Sequence, residues 1–373
     1  MKSSKTKAYR CATVILSALL VIASLSATGC ALRSLIPNQG SDENNTVIQP
    51  ENTDPSNSPD NGEKEPVEDK PVLPSYYNPL TGLASETDLS MIRPVAISLG
   101  DSNSPQYGIG NAEILIEAPV ENGGTRTVMI TTAYIGMPQI GAIGTTRPYL
   151  LALSSDFGAV TVCAGASDIR PGVSYNTYPI MNYEIDGATT VFYKSAEADK
   201  PEYLYTSGTR LIGALENFEK SGAHLPYSFG AFGTAIAPIG KKATGVIIPY
   251  SGNNVAQFLY DADKHIYLRS TNSKAQMDAI TGEQIGFTNL LLLTCESSIY
   301  NKVTGTEFDL NTASGGTGYY ISEGHSTEIA WSRDADGNLL LHDKNGTPLQ
   351  VNRGKTYIGM IDLVNSSSVL IVE

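Results

Sequence analysis

Eight polar residues in the first half of this chain are of types that carry chemistry: Asp101, Glu117, Glu121, Arg126, Arg147, Tyr149, Ser167 and Asp168. A carboxylate pair such as Glu117 and Glu121 suits acid/base cleavage of a glycosidic bond when both groups face one groove. Arginines grip carboxylates and phosphates through a planar fork of N–H donors. Ser167 ends the sequence Ala-Gly-Ala-Ser, a plausible strand-to-loop bend, but a serine nucleophile needs a base within hydrogen-bond reach. No His precedes His224 and Gly-x-Ser-x-Gly is absent, which argues against a hydrolase triad. Cys163 fails as a nucleophile for the same lack of a base.

These residues sit at the ends of short apolar runs. Val95–Leu99, Ile114–Val120, Thr127–Tyr134 and Ala159–Cys163 are rich in Val, Ile and Thr and read as strands. Alternation puts Ile114, Ile116 and Ala118 on one face and Leu115 and Glu117 on the other. Glu121 falls in a hairpin turn with Asn122, Gly123 and Gly124. The structural alternative to a site is that Glu117 or Glu121 pairs with Arg126 across that hairpin. Pro148 opens a helix that Gly158 closes. Arg147, just before it, places a cation at the positive end of the helix dipole, a conflict with the local rule that hints at function. Arg126 and Arg147 together would grip a carboxylate- or phosphate-bearing ligand, such as a wall peptide or an anionic glycan. The bland alternative is a buried pair with Asp101, Asp168 or Glu117.

The front of the chain says where it is placed. Residues 1–29 combine a basic start (Lys2, Lys5, Lys7, Arg10), an apolar middle and the ending Ser26-Ala27-Thr28-Gly29 before Cys30. That is the layout of a secretory signal, and Gly-Cys resembles the bacterial lipobox, with cleavage before Cys30 and diacylglycerol on its thiol. Without the four positive charges of residues 1–29, the net charge falls from −13 to −17. So acidic a chain repels phosphate backbones, which excludes nucleic acid as an expected partner. Attachment to the membrane is then expected through the acyl chains on Cys30, facing the extracytoplasmic side. Residues 30–75 follow as an acidic, Pro-rich linker. Its 44 residues from Ala31 to Pro74 hold seven Pro and nine acidic residues, and that composition predicts disorder.

The remaining length fits two domains or one large one. We read an α/β N-terminal domain over 76–240 and a β-rich C-terminal domain over 241–373. The fold class is α+β, a mixed α/β half packed with a predominantly antiparallel β half. Leu211, Leu215 and Phe218 recur at helical spacing, and Tyr175–Tyr205 reads as a Tyr-rich irregular region. From Gly245 onward, hairpins with Asp/Asn/Gly turns dominate: Ala256–Tyr260 with His265–Arg269, then Ile329–Arg333 with Leu339–His342. Asp334-Ala-Asp-Gly-Asn lacks the EF-hand spacing and is a hairpin turn. Trp331 is expected in the core. Cys163 and Cys295 lie in apolar runs, as buried thiols or as a disulfide. Four His with no zinc spacing and no Cys-x-x-Cys pair point to no metal and no cofactor.

Several stretches in order resemble one family. NPLTGL (78–83), RPVAISL, NAEILIEAPVENGGTR, IGAIGTTRPY, FDLNTASGGTGYYIS and VNRGKTYIGMI are similar to the YerB-like bacterial lipoproteins, whose two halves are paired domains of unknown function. The resemblance implies a lipid-anchored extracytoplasmic protein and brings no established reaction. It implies family positions at Glu117, Glu121, Thr125, Arg126, Arg147, Tyr149, Gly165 and Ser167. This chain departs from the pattern at Gly100-Asp101 (Asn-Asn in the family), Gly144 (Arg), Cys163-Ala164 (His-His) and Pro201-Glu202 (Pro-His). Any His-dependent proton transfer in the family groove is therefore lost here. The expected function is non-enzymatic binding or scaffolding at the cell envelope, of a cell-wall glycan, a peptide or an envelope protein, through a polar Arg/Glu groove. The alternative is a hydrolase of wall glycan or peptide with Glu117 or Glu121 as acid/base.

Overall fold

The β-branched runs form strands, and burial on both of their faces sets the architecture. The computed structural model describes residues 73–100, 104–165, 178–186, 190–194, 203–299 and 308–373. Residues 1–29, Cys30, nearly all of the 30–75 linker, Asp101, Ser167 and Asp168 lie outside the described residues. The first half supplies β1 (Val95–Ser98), β2 (Ile114–Pro119), β3 (Thr125–Thr131), β4 (Val160–Cys163) and β5 (Ile180–Asn182). The second half begins with β6 (Lys241–Lys242), β7 (Gly245–Ser251), β8 (Asn254–Asp261), β9 (Ile266–Thr271) and β10 (Asn289–Cys295). It ends with β11 (Gly316–Ser322), β12 (His325–Arg333), β13 (Leu339–Asp343), β14 (Thr356–Asp362) and β15 (Leu370–Val372).

One 11-stranded sheet takes strands from both halves, in the order β6-β12-β11-β10-β14-β2-β3-β1-β4-β5, with β13 paired to β12. The halves meet at β14, which runs parallel to β2 on one side (Tyr357 opposite Leu115) and to β10 on the other (Tyr357 opposite Leu290). They are thus joined by backbone hydrogen bonds as well as by packing. The described residues are mostly strand, with few helices. A second, antiparallel sheet of six strands contains β7, β8, β9 and β15.

Alternation along the large sheet divides the core in two. Leu115, Ile97, Met129, Leu292 and Tyr357 face the second sheet, which answers with Val246, Ile248, Ala256, Phe258 and Tyr267. Ile114, Ile116, Val128, Leu291 and Ile358 face the other way, against Tyr149, Leu150 and Leu153 of helix α1 (Pro148–Ser155). Such two-sided burial explains why β2 reads as a continuous apolar run rather than an alternating one. Helix α2 (Gly208–Leu215) buries Leu211 with Tyr134 and Met137. The stretch read as irregular, Tyr175–Tyr205, holds β5, a helical turn at Tyr183–Asp186 and short strands at Tyr193–Lys194 and Leu204–Thr206 among its described residues. Leu204–Thr206 pairs with Ile140–Ile143, a partner too remote for local pattern to reveal. Cys163 and Cys295 are buried thiols, with no disulfide between them, and Trp331 is buried.

Candidate functional site

The site is built around Glu117, the one charged residue of β2, on the face covered by the second sheet. Phe258 of β8 lies opposite Arg269 of β9, so Arg269 shares the inward face of that sheet and reaches Glu117 across the layers. Arg269 Nη2 donates to Glu117 Oε2 at 2.6 Å, and the Tyr357 hydroxyl donates to the same oxygen at 2.8 Å. Thr125 Oγ1 donates to Oε1 at 2.7 Å and accepts from Asn254 Nδ2 at 2.9 Å. Tyr250 and Tyr357 share a hydroxyl contact of 2.9 Å. Burial, reinforced by the Glu117 charge, pushes both phenols well above their ordinary range, so they stay protonated donors. Burial works against the Arg269 charge, but Glu117, with Tyr357 and Tyr250 beside it, leaves the guanidinium above its ordinary value.

Beside this pair opens a hollow of about 250 Å³ lined by Gly100, Gln106, Glu117, Val120, Gly124, Thr125, Arg126, Thr127, Asn254, Arg269, Thr271 and Gln276. Arg126 borders it, donating from Nη1 to the Leu99 carbonyl at 3.1 Å and from Nη2 to Thr145 Oγ1 at 3.2 Å. Gly144 stands behind Arg126: a Cβ there would lie 2.6 Å from the Leu99 carbonyl oxygen and 2.7 Å from Arg126 Nη1. A side chain at 144 cannot coexist with this placement of Arg126.

Arg147 approaches the same threonine, with Nη1 3.5 Å from Thr145 Oγ1. Its main partner is Glu121, held by Nε at 2.9 and 3.1 Å and by Nη2 at 2.6 Å. Arg147 is the cap residue of α1 and has extended backbone, so its side chain turns back to the 121–123 turn, where Glu121 balances its charge. That ion pair accounts for a cation at a helix start. Tyr149 donates its hydroxyl to the Pro119 carbonyl at 2.7 Å, pinning α1 to the end of β2.

Glu117, Glu121, Arg126, Arg147 and Tyr149 are thus brought into one neighbourhood, but the two carboxylates line different hollows. Glu117 faces the one just described. Glu121 borders a smaller one, of about 190 Å³, with Pro119, Tyr250, Ile299, Phe308 and Asp362. Each acid already has its own arginine, and neither of those arginines is Arg126.

Burial raises the Glu121 carboxyl, but hydrogen bonds and charge from Arg147 outweigh it and leave the group below its ordinary value. A lowered folded-state value means that this pair's stability is present above about pH 4.5 and lost as pH falls through the folded value. Arg147→Ala is therefore expected to flatten the acid limb of the stability profile, as read from urea midpoints across pH. An unchanged limb would remove the pair from the account.

Sequence reasoning missed Arg269, Tyr250, Tyr357, Gln106, Asn254 and Gln276. A signal for Arg269 did exist. In the run Ile266-Tyr-Leu-Arg it shares strand parity with Tyr267, and a charge on a core-facing position must find a partner.

Two family models match the chain: "Protein of unknown function (DUF3048) N-terminal domain" over residues 80–222, and the C-terminal domain of the same family over residues 246–358. The chain belongs to this two-domain family. It is similar to the Bacillus subtilis (strain 168) protein named "Putative lipoprotein YerB", with 27% identity over 301 residues that span 78% of this chain and 88% of that protein. The crystal structure of YerB protein from Bacillus subtilis superposes with a TM-score of 0.66 at 25% identity, covering 80% of this chain and 99% of that one.

Proposed function

We propose that this is a lipid-anchored protein of the cell envelope, held by Cys30 on the extracytoplasmic side, that binds rather than transforms its ligand. The observation that carries the binding reading is the hollow where the two halves meet. Among the described residues its lining holds Arg126 and the Arg269–Glu117 pair among amides and hydroxyls. Polar lining of mixed sign in a small concavity orients a ligand through hydrogen bonds. The fork of N–H donors on Arg126, beside the amide and hydroxyl donors of this lining, suits a carboxylate or phosphate on that ligand. The ligand class this supports is a wall component bearing such an anion, a stem peptide or an anionic glycan. Paired-carboxylate hydrolysis needs two acids on one groove, and Glu117 and Glu121 line separate hollows. The test is co-sedimentation of the lipid-free chain from residue 31 onward with purified insoluble cell-wall material. Retention that falls as salt rises, with no release of soluble sugar or peptide, is the expected result. No retention at low salt overturns the reading.

A further inference from the structure

Two turns meet at Glu323. One joins β8 to β9 and ends at His265; the other joins β11 to β12 and contains Glu323 and Gly324. His265 (φ 56°) and Glu323 (φ 48°) both occupy the left-handed region, which side-chain-bearing residues enter at a cost and which tends to persist where the surroundings hold it. His265 Nδ1 lies 2.6 Å from Glu323 Oε2, and Tyr260 donates its hydroxyl to that oxygen at 3.0 Å. The other oxygen, Oε1, is buried with no hydrogen-bond partner among the described residues. A carboxylate placed like this depends on the donors at one oxygen and on a neighbouring positive charge. The turns are in contact as well, since a Cβ on Gly324 would lie 3.2 Å from the Tyr260 ring. Strand β9 starts one residue after His265 and carries Arg269.

We propose that His265 and Glu323 form a proton-operated latch between the two sheets, closed when the imidazole is protonated, which steadies the strand that brings Arg269 to Glu117. Other charged or titratable groups face the pair from each packed element. Asp261, Asp263 and Lys264 belong to the His265 turn, with Lys264 3.6 Å from Asp261. Tyr260 and Tyr267 come from β8 and β9, and Tyr320 from β11. His325 places Nδ1 2.9 Å from the Glu323 carbonyl oxygen, and Lys242 pairs with His325 along the backbone. None of these supplies a second cation to the Glu323 carboxylate among the described ion pairs. The hydrogen bond and charge of Glu323 hold the imidazole above its ordinary value of 6.5. With the folded value raised, the latch's contribution is complete below about pH 6.5 and disappears as pH rises through the folded value. The latch stands whether or not the hollow binds a ligand.

The test uses the lipidated chain in detergent with its four histidines isotopically labelled. One ring signal, absent in His265→Asn, should titrate above 6.5 and return to about that value in Glu323→Gln. Asparagine is the chosen replacement because it tolerates the left-handed backbone. A His265 midpoint at or below 6.5, or one unmoved by Glu323→Gln, overturns the proposal. Independently, the urea midpoint should drop more between about pH 6 and about pH 8 in wild type than in His265→Asn, the interval over which an imidazole discharges. Equal drops also overturn it.

Discussion

Arg269→Leu is expected to cost about 3–5 kcal/mol of folding stability, the range for leaving one member of a buried ion pair alone. The side chains of Arg269 and Glu117 are 2% and 1% exposed, so solvent cannot take over the carboxylate when the guanidinium is removed. The two remaining donors, Thr125 and Tyr357, supply hydrogen bonds but no charge. The diagnostic experiment is the double variant Arg269→Leu with Glu117→Gln. It removes both charges and keeps an acceptor for one of the two hydroxyls, while the other can rotate to accept from the amide NH2. Most of the loss should be recovered, since two charges removed together leave no unpaired ion behind. Urea unfolding of the three variants measures this coupling. A single-variant loss below about 1 kcal/mol, the level of an exposed pair, would mean that the layers do not close over Glu117.

Trp331→Ala carries the other large effect, also about 3–5 kcal/mol for emptying a large aromatic site in a core. Trp331 lies on β12 between Gly316 of β11 and Leu341 of β13, and its indole nitrogen donates to the Thr294 carbonyl at 2.9 Å. Gly316 makes room for it: a Cβ there would sit 2.7 Å from that nitrogen. Alanine would leave a void and remove that hydrogen bond, while Trp331→Phe keeps most of the volume and should cost clearly less. As the chain has a single Trp, unfolding of the variant is followed by circular dichroism. Since β14 joins the halves in one sheet, the whole chain should lose stability in a single transition. A separate early transition confined to the second half would contradict the shared sheet.

Elements with strong local pattern were legible in the sequence. Pro148 and Gly158 bracket α1, Asn122-Gly123 marks the turn after β2, and the β8–β9 and β12–β13 hairpins follow their Asp/Asn/Gly turns. Partner choice was not legible. β14 enters the sheet beside β2, more than two hundred residues earlier, and no local periodicity encodes such a pairing. The same gap governs the site. Glu117, Glu121, Arg126, Arg147 and Tyr149 could be picked out together because they cluster along the chain near one hairpin, and they do lie in one neighbourhood. Which arginine serves which acid depended on layer packing, which assigned Arg269 to Glu117 and Arg147 to Glu121. Arg126 borders the hollow for a reason only partly visible in sequence, the absence of a side chain at Gly144.

If the proposed ligand sits in the hollow beside Arg126, retention on purified cell-wall material depends on which arginine is removed. Arg126→Ala should lose about tenfold or more in retention, as expected for one charge-assisted contact in a concave site. Arg147→Ala, whose side chain pairs with Glu121 and does not line the hollow, should stay within about threefold of wild type. Equal retention of all three folded proteins, or a larger loss in Arg147→Ala, would contradict the account.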